Sequence, residues 1–482
     1  MLSVIHVLGS MLMMFSVTYV LPIVTSVIYD DGHLLDFVVA AVFCLCVGAL
    51  LWAVTRRYKR ELRSRDGFML VTLAWVLMSA TATVPLLIAL PHLSFTDAFF
   101  ETMSGLSTTG ATVLVGLEHL PPSINLWRAA LHWYGGMGII VLVVAILPLL
   151  GVGGMQLYKA ETPGPVKNEK LTPRITETAK ALWFIYVLIT GACIVALHLA
   201  GMNWFDAVFH AFSTLSLGGF SNYDASIGHY DSQAIEAVLI VFMLVSAVNF
   251  SRHLIAWQQR SLRTYRTDSE AIAMLWLIGV STLAVATFVW LHGTYPEFPL
   301  ALRHVAFNLV AVATTCGYAT QDFAAWPVFA PLVMIMLSCY ACNTGSTGGG
   351  IKMFRTLVLF RQAGRELMML VHPQAVRPVR IGGHVVQNQI VFAVLAFVVL
   401  YFGTVVVLTF ALVASGLDFI SGFSAIIACI NNMGPGLGVV GPASNYQGLT
   451  DFQTWVCSLA MLLGRLEIFS VLVLLTPFYW RK

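Results

Sequence analysis

Between its long apolar runs the chain four times carries a short one that ends in a polar turn closed by glycine. "TDAFFETMSGLSTTGAT" occupies 96–112 and "FDAVFHAFSTLSLGGFS" occupies 205–221. In each, an aspartate (Asp97, Asp206) precedes the glycine (Gly110, Gly219) by 13 residues and a phenylalanine (Phe100, Phe209) precedes it by 10. "HVAFNLVAVATTCGYAT" keeps the phenylalanine spacing with Phe307 and Gly317. "DFISGFSAIIACINNMGPGLG" is looser: Asp418 precedes Gly434 by 16, and only its glycine end aligns. As a helix rising about 1.5 Å per residue, each stretch covers about half of a hydrocarbon core roughly 30 Å thick. It therefore enters from outside, stops near the middle and returns as extended backbone. Such backbone is tolerated at that depth only where it is buried in protein or lines a water-filled cavity.

Four such returns predict a pseudo-fourfold ring of backbone around one axis. Glycine at the turn permits positive φ, so successive carbonyl groups can face the axis and replace the hydration shell of a cation. The C-terminal ends of the four half-helices add negative partial charge nearby. Small-residue helix packing accounts for a glycine on a long span, but not for one that ends a short segment at a repeated spacing.

The rest of the chain fits a membrane setting. Hydrophobic residues make up 58% and charged residues 10%, where soluble domains carry about 25% charged. Spans of roughly 20 apolar residues fall near 2–28, 35–54, 68–90, 127–151, 181–201, 233–257, 271–292, 327–357, 388–414 and 452–478, giving ten crossings. The first run lacks a basic leader and a small-residue cleavage site, so it is read as a retained helix. The expected fold is an all-α polytopic membrane protein: four pseudo-fourfold helix, re-entrant pore helix, helix repeats around one pore, plus two N-terminal transmembrane helices. The expected units are 1–66, the two N-terminal helices; 67–156, 181–268, 269–365 and 388–482, the four pore repeats; and the cytoplasmic linkers 157–180 and 366–387.

If "RRYKRELRSR" (56–65) is cytoplasmic, then 157–180, 258–270, 352–387 and the C-terminal "RK" are too, and 23 of the 26 Lys and Arg fall on that side. Both termini are then cytoplasmic, and the exceptions are Arg128, Arg303 and Arg465. The same topology places 14 of the 23 carboxylates outside. An acidic mouth would concentrate cations, while ordinary solvation of outer loops explains the charge equally well. The eight cysteines all fall in or beside apolar segments, and the lone Cys339-x-x-Cys342 lacks the second pair or βαβ context of a metal or redox motif. They are read as packing residues without disulfides. No H-E-x-x-H or nucleophile-elbow pattern occurs; His210 and His304 are read as polar residues near the outer mouth, and an enzyme is not expected.

"NTGSTGGGIKMF" (343–354) interrupts an apolar run. It is not a phosphate-binding loop, because Ile351 separates the glycines from Lys352 and Met353 follows where Ser or Thr is required. Lying below the level of Gly317 and well inside the bilayer, non-helical backbone here implies a wet cavity. The reading is a gate formed by Gly345, Ser346, Thr347, Gly348, Gly349, Gly350 and Lys352. Arg465, deep in the last span, costs about 2.5–3.5 kcal/mol on insertion scales, so it should face that cavity; the competing reading is a buried structural partner for Glu467 or for main-chain carbonyls. Direct pairing with Glu467 two residues on is not expected.

"LSTTGAT", "STLSLGGFSNYDASIG", "ATTCGYAT", "CNTGSTGGGIK", "NNMGPGLG" and "LGRLEIF", in that order, resemble the Trk/Ktr/HKT superfamily of potassium transporters, specifically its bacterial TrkH/TrkG branch. The resemblance covers all four repeats and the two added N-terminal spans. It implies a potassium-binding filter of Ser107, Thr108, Thr109, Gly110 and Ala111; Ser216, Leu217, Gly218, Gly219 and Phe220; Thr314, Thr315, Cys316, Gly317 and Tyr318; and Asn431, Asn432, Met433, Gly434 and Pro435. Cys316 stands where Thr is expected, and Leu217 and Gly218 are apolar beside the hydroxyl-rich first and third repeats. Main-chain coordination tolerates these departures, whereas a hydroxyl ligand would be lost. The resemblance further implies that Arg465 adjoins the intramembrane loop, that potassium is the bound and transported ion with no organic cofactor, and that the chain is a homodimer in the bacterial inner membrane. It also implies a TrkA-like cytoplasmic nucleotide-binding ring as regulatory partner, for which the basic segments 157–180 and 352–387 are the expected dock. A sodium- or proton-coupled symporter and a non-conducting cation sensor are the alternatives.

Overall fold

The computed structural model describes residues 2–58, 62–141 and 171–481. The cytoplasmic linker expected at 157–180 and the end of the span expected at 127–151 lie largely outside the described residues.

Two N-terminal spans, Leu2–Tyr29 and Leu34–Thr55, pack against each other. A Cβ on Gly9 would stand 2.7 Å from the Gly48 carbonyl oxygen, and one on Gly48 would stand 2.8 Å from that of Gly9. The two backbones are thus in direct contact, as small residues allow between membrane helices.

Four copies of one plan follow. In the first, the outer helix Arg65–Ala89 leads to the pore helix Phe95–Leu106 and the inner helix Pro122–Val141. In the second, Leu171–Leu199 leads to the pore helix Trp204–Leu215 and an inner pair, Gln233–Ala247 and Phe250–Gln259. The third runs Ser269–Leu291, pore helix Phe298–Ala313, inner helix Phe329–Tyr340, then a non-helical stretch before Met353–Val371. The fourth runs Asn388–Ala414, pore helix Phe419–Ile430 and an inner pair, Asp451–Arg465 and Phe469–Leu475. Between the third and fourth, Arg380–Ile381 pairs antiparallel with His384–Val385. The all-α, four-repeat reading of the sequence holds.

The inner helices depart from the ten continuous crossings expected. Among the described residues six helices are long and apolar enough to cross a bilayer, or eight if each bent pair counts as one span. The second inner pair bends by 96° and the fourth by 109°. At the first bend Val248 turns extended and Asn249 caps a new helix, its side chain accepting from the Ser251 N–H at 2.8 Å. At the second, Glu467 (φ 53°) and Ile468 (φ 22°) leave the helical region. Arg465 is therefore the last residue of its helix and not in mid-span. Of the remaining two expected crossings, 327–357 is helical only over Phe329–Tyr340 before the glycine-rich stretch, and Pro122–Val141 ends where the described residues end.

Candidate functional site

The pore helices begin and end alike. Ser94, Asn203 and Asp418 cap three of them, each side chain accepting the N–H three residues on, the local geometry that favours Ser, Asn and Asp at this position. The Ser421 N–H and hydroxyl hold the Asp418 carboxyl below the usual carboxylate range. These caps stand 16 residues before Gly110, Gly219 and Gly434. The fourth repeat is thus in register with the first two. Asp97 and Asp206 sit at the third helical position, whereas Asp418 is itself the cap. The third pore helix is 16 residues long against 12 for the others, and a proline replaces a side-chain cap at its start.

At the other end all four finish in the same double hydrogen-bond closure. The N–H groups of Thr108, Leu217, Thr315 and Asn432 reach back to Gly105, Thr214, Val312 and Cys429, and those of Thr109, Gly218, Cys316 and Met433 reach Ser104, Ser213, Ala311 and Ala428 at 2.8 Å. This is the 5→2 and 6→1 pattern of a left-handed helix stop. It places Thr108, Leu217, Thr315 and Asn432 at φ of 52–60° without glycine. Two residues later Gly110, Gly219, Gly317 and Gly434 return to positive φ, at 81°, 80°, 82° and 94°. Left-handed residues at alternate positions are what turns successive carbonyls to one side.

The four strands close on each other in a cycle. A Cβ on Gly110 would lie 2.0 Å from the Gly218 carbonyl oxygen, one on Gly219 1.9 Å from that of Cys316, and one on Gly317 1.9 Å from that of Met433. A Cβ on Gly434 would lie 2.8 Å from the Thr109 oxygen, which completes the ring. All four glycines, with Ala111, Phe220 and Pro435, line one vestibule. Thr108, Thr109, Leu217, Gly218, Thr315, Cys316, Tyr318, Asn432 and Met433 stand behind or below it, buried. The Tyr318 hydroxyl bonds the His210 carbonyl at 3.2 Å, and the Thr315 hydroxyl accepts from the Gly349 N–H at 2.9 Å. The Cys316 and Leu217 side chains are fully buried.

Two charges that the sequence leaves unexplained meet behind the first two strands. Arg128 and Glu101, each 1% exposed, pair at 2.8 Å. Arg128 also donates to the Ser221 carbonyl and lies 4.4 Å over the Phe220 ring, while Glu101 accepts from Thr112 and the Val113 N–H. Glu101 interrupts an apolar pore helix and Arg128 breaks the charge asymmetry, so the two anomalies together were the available signal. Breaking one side of a buried pair costs about 3–5 kcal/mol, while a well-packed neutral replacement of both is often tolerated. Arg128→Met should lower the thermal unfolding midpoint of the purified protein by several degrees, and Glu101→Gln/Arg128→Met should recover part of that loss, read by size-exclusion melting.

Several of the carboxylates expected on the outer side are bonded within the protein. Glu236 and Asp231 hold Arg303 at 2.7 and 2.8 Å. Asp206 accepts from Asn222, Tyr223 and Tyr230. Asp224, the one carboxylate among the described residues that line the vestibule, accepts from the Gly116 and Leu117 N–H groups. These carboxylates are engaged by protein partners, which neither the acidic-mouth reading nor loop solvation anticipated.

Beneath the four strands lies the stretch Ala341–Lys352. The Thr347 hydroxyl donates to the Leu215 carbonyl at the end of the second pore helix, and Gly349 is packed so closely that a Cβ would lie 1.9 Å from the Asn431 oxygen at the end of the fourth. Gly345, Gly350 and Lys352 have φ of 76–78°, and Lys352 folds back to donate to the Gly348 carbonyl. Ser346 is buried, its hydroxyl on the Asn343 carbonyl. Arg465, 3% exposed, donates to the Thr347 carbonyl at 2.8 Å and to the Gly135 carbonyl at 2.9 Å. Of the two environments considered from sequence, main-chain carbonyls are the ones it bonds. Glu467 pairs instead with Arg355 at 2.7 Å, beyond the loop. Ser246 Oγ, both polar atoms of the Asn343 side chain and Arg465 Nε are buried without protein partners among the described residues.

The TrkH family model, described as a cation transport protein, matches residues 33–482. The Trk system potassium uptake protein TrkH of Vibrio parahaemolyticus is 47% identical over 483 residues, covering 100% of this chain and 99% of the relative. That of Salmonella typhimurium is 44% identical over 482 residues, with the same coverage. The crystal structure of the potassium transporter TrkH from Vibrio parahaemolyticus matches with a TM-score of 0.92 at 44% identity, covering 100% of this chain and 99% of that one.

Proposed function

The chain belongs to the TrkH family of cation transport proteins, and from that premise we propose that it takes up potassium across the bacterial cytoplasmic membrane through a filter of main-chain carbonyls. The observation that carries the reading is the closed cycle of four left-handed glycines, each seated against a carbonyl of the next strand. Carbonyl oxygens held at fixed spacing by such a ring replace a hydration shell, and the pore-helix C-termini lend them negative potential. Fully buried side chains at Cys316 and Leu217 agree with a filter that uses backbone and not hydroxyls.

Below the filter, residues 345–350 with Lys352 and Arg465 form the gate in this proposal. The loop crosses under the ends of the second and fourth pore helices, and Arg465 supplies a fixed positive charge on the cation path. A membrane potential supplies roughly 2.3 kcal/mol per charge per 100 mV, so accumulation needs no coupled ion. The proposal extends to assembly: both termini cytoplasmic, a homodimer, and a TrkA-like nucleotide-binding ring docked on the basic segments 157–180 and 352–387. The helix Met353–Val371 continues directly from the loop, which would let such a partner pull on the gate.

The test is rubidium uptake into liposomes carrying the purified protein, with and without the ring and with excess sodium. Sodium-resistant flux that reverses at the potassium equilibrium potential supports the proposal. Reversal displaced by a sodium or proton gradient replaces it with a symporter, and absence of flux under every condition with a non-conducting sensor.

A further inference from the structure

The four joints of the filter ring are not equivalent. Three bring the glycine Cβ position to 1.9–2.0 Å from the neighbouring carbonyl oxygen, but the joint between the fourth strand and the first leaves 2.8 Å. At that same joint Gly434 carries the largest φ of the four, 94°. A buried tyrosine from outside the filter sequence stands there: the Tyr446 hydroxyl donates to the Gly434 carbonyl at 2.8 Å, and the Tyr446 N–H donates to the Thr112 carbonyl at 2.9 Å. One residue thus bonds both strands of the open joint. Its ring packs 5.3 Å from that of Phe100, at the back of the first pore helix. Lower down, Asn432 spans the same joint to the Thr109 hydroxyl at 3.0 Å.

Building on the carbonyl-filter reading above, we propose that Tyr446 is a positioning residue for selectivity, holding the Gly434 carbonyl outward so that the outermost cation site keeps the size of potassium. A carbonyl oxygen has two lone pairs, so a hydroxyl on one leaves the other for the ion while restraining the direction of the group. The other three glycine carbonyls need no such restraint, because their strands are wedged at van der Waals contact. At the wider fourth joint Asn432 ties the strand lower down, and the Tyr446 hydroxyl is the group bonded to the Gly434 carbonyl itself. Released, the Gly434 carbonyl can approach the axis and offer a tighter cage, one that suits sodium better than the original does.

Tyr446→Phe removes one oxygen and keeps the ring that packs on Phe100. The measurement is rubidium uptake by the full chain in liposomes against increasing sodium, beside wild type and Tyr19→Phe. Tyr19 is an equally buried tyrosine whose hydroxyl also donates to a carbonyl, that of Thr81, in the N-terminal helices. The expected result is a roughly two- to ten-fold loss of rubidium-over-sodium discrimination in Tyr446→Phe, the range set by one net hydrogen bond, with total cation flux and thermal midpoint near wild type. Tyr19→Phe should keep wild-type discrimination. Unchanged discrimination in Tyr446→Phe, or equal loss in both variants, overturns the assignment. Absence of selective flux in the wild type would instead overturn the filter reading on which it rests.

Discussion

Alanine at Gly110, Gly219 or Gly317 is expected to abolish potassium-selective uptake, with rubidium flux down at least about ten-fold or no longer distinguished from sodium. Each added Cβ would stand 1.9–2.0 Å from a carbonyl oxygen of the next strand, far inside the contact distance of carbon and oxygen. The neighbouring carbonyl must move by about an ångström, and it is itself part of the ring, so the error passes to the next joint. A non-glycine residue at these φ values adds about 1–3 kcal/mol of backbone strain. Gly110→Ser should behave in the same way. Gly434→Ala should be the mildest of the four, because its Cβ would have 2.8 Å. Gly32 separates the two contributions: its φ is 80° but nothing lies within 4 Å of its Cβ position. Gly32→Ala therefore carries the strain without the clash and should transport normally. Selective uptake at wild-type rate in all three severe variants would mean that the ring of contacts does not set the filter.

The repeat was legible because one physical plan is written four times. A cap, twelve helical residues and a left-handed stop impose a 16-residue distance from cap to glycine in three repeats. The apparent irregularity of the fourth came from matching aspartates by type: Asp97 and Asp206 occupy the third helical position, but Asp418 occupies the cap. The left-handed conformation of Thr108, Leu217, Thr315 and Asn432 was not legible. None is glycine, and what holds them is the pair of back-bonds from each stop, a property of the helix end and not of the residue.

The bends were hidden for a related reason. "GRLEIFS" contains neither proline nor a glycine at the break, yet Glu467 and Ile468 take positive φ. Partners distant in sequence decide this: Arg355, 112 residues away, takes Glu467, and the carbonyls of Thr347 and Gly135 take Arg465. Hydropathy reports how apolar a stretch is, and it cannot report that the stretch turns by 109°. Tyr446 was missed because it lies in a polar connecting segment, eight residues past the end of "NNMGPGLG" (431–438), and reaches the filter only through the folded chain.

Arg465→Ala is expected to raise potassium flux in the absence of any cytoplasmic partner by about ten-fold or more. The guanidinium lies where the ends of the pore helices gather: Gly135, whose carbonyl it holds, is packed 2.0 Å by Cβ position from the Leu106 oxygen, and Thr347, its other partner, bonds Leu215. A helix C-terminus favours positive charge, so in the proposed gate Arg465 would take the electrostatic place of a permeating cation, and its fork ties the loop to the first repeat. Removing it frees both the place and the tie. Arg465→Lys divides these effects, because lysine keeps the charge as a point donor but cannot bond two carbonyls in a planar fork. Low flux in Arg465→Lys would make charge the dominant barrier; flux as high as in Arg465→Ala would make it the tie. Deletion within 345–350 removes the loop itself and should set the upper bound. Arg465→Gln, which keeps a donor near Thr347 without charge, guards against a variant that fails to fold. If Arg465→Ala and Arg465→Gln elute as folded protein and neither leaks, the arginine does not close this pathway.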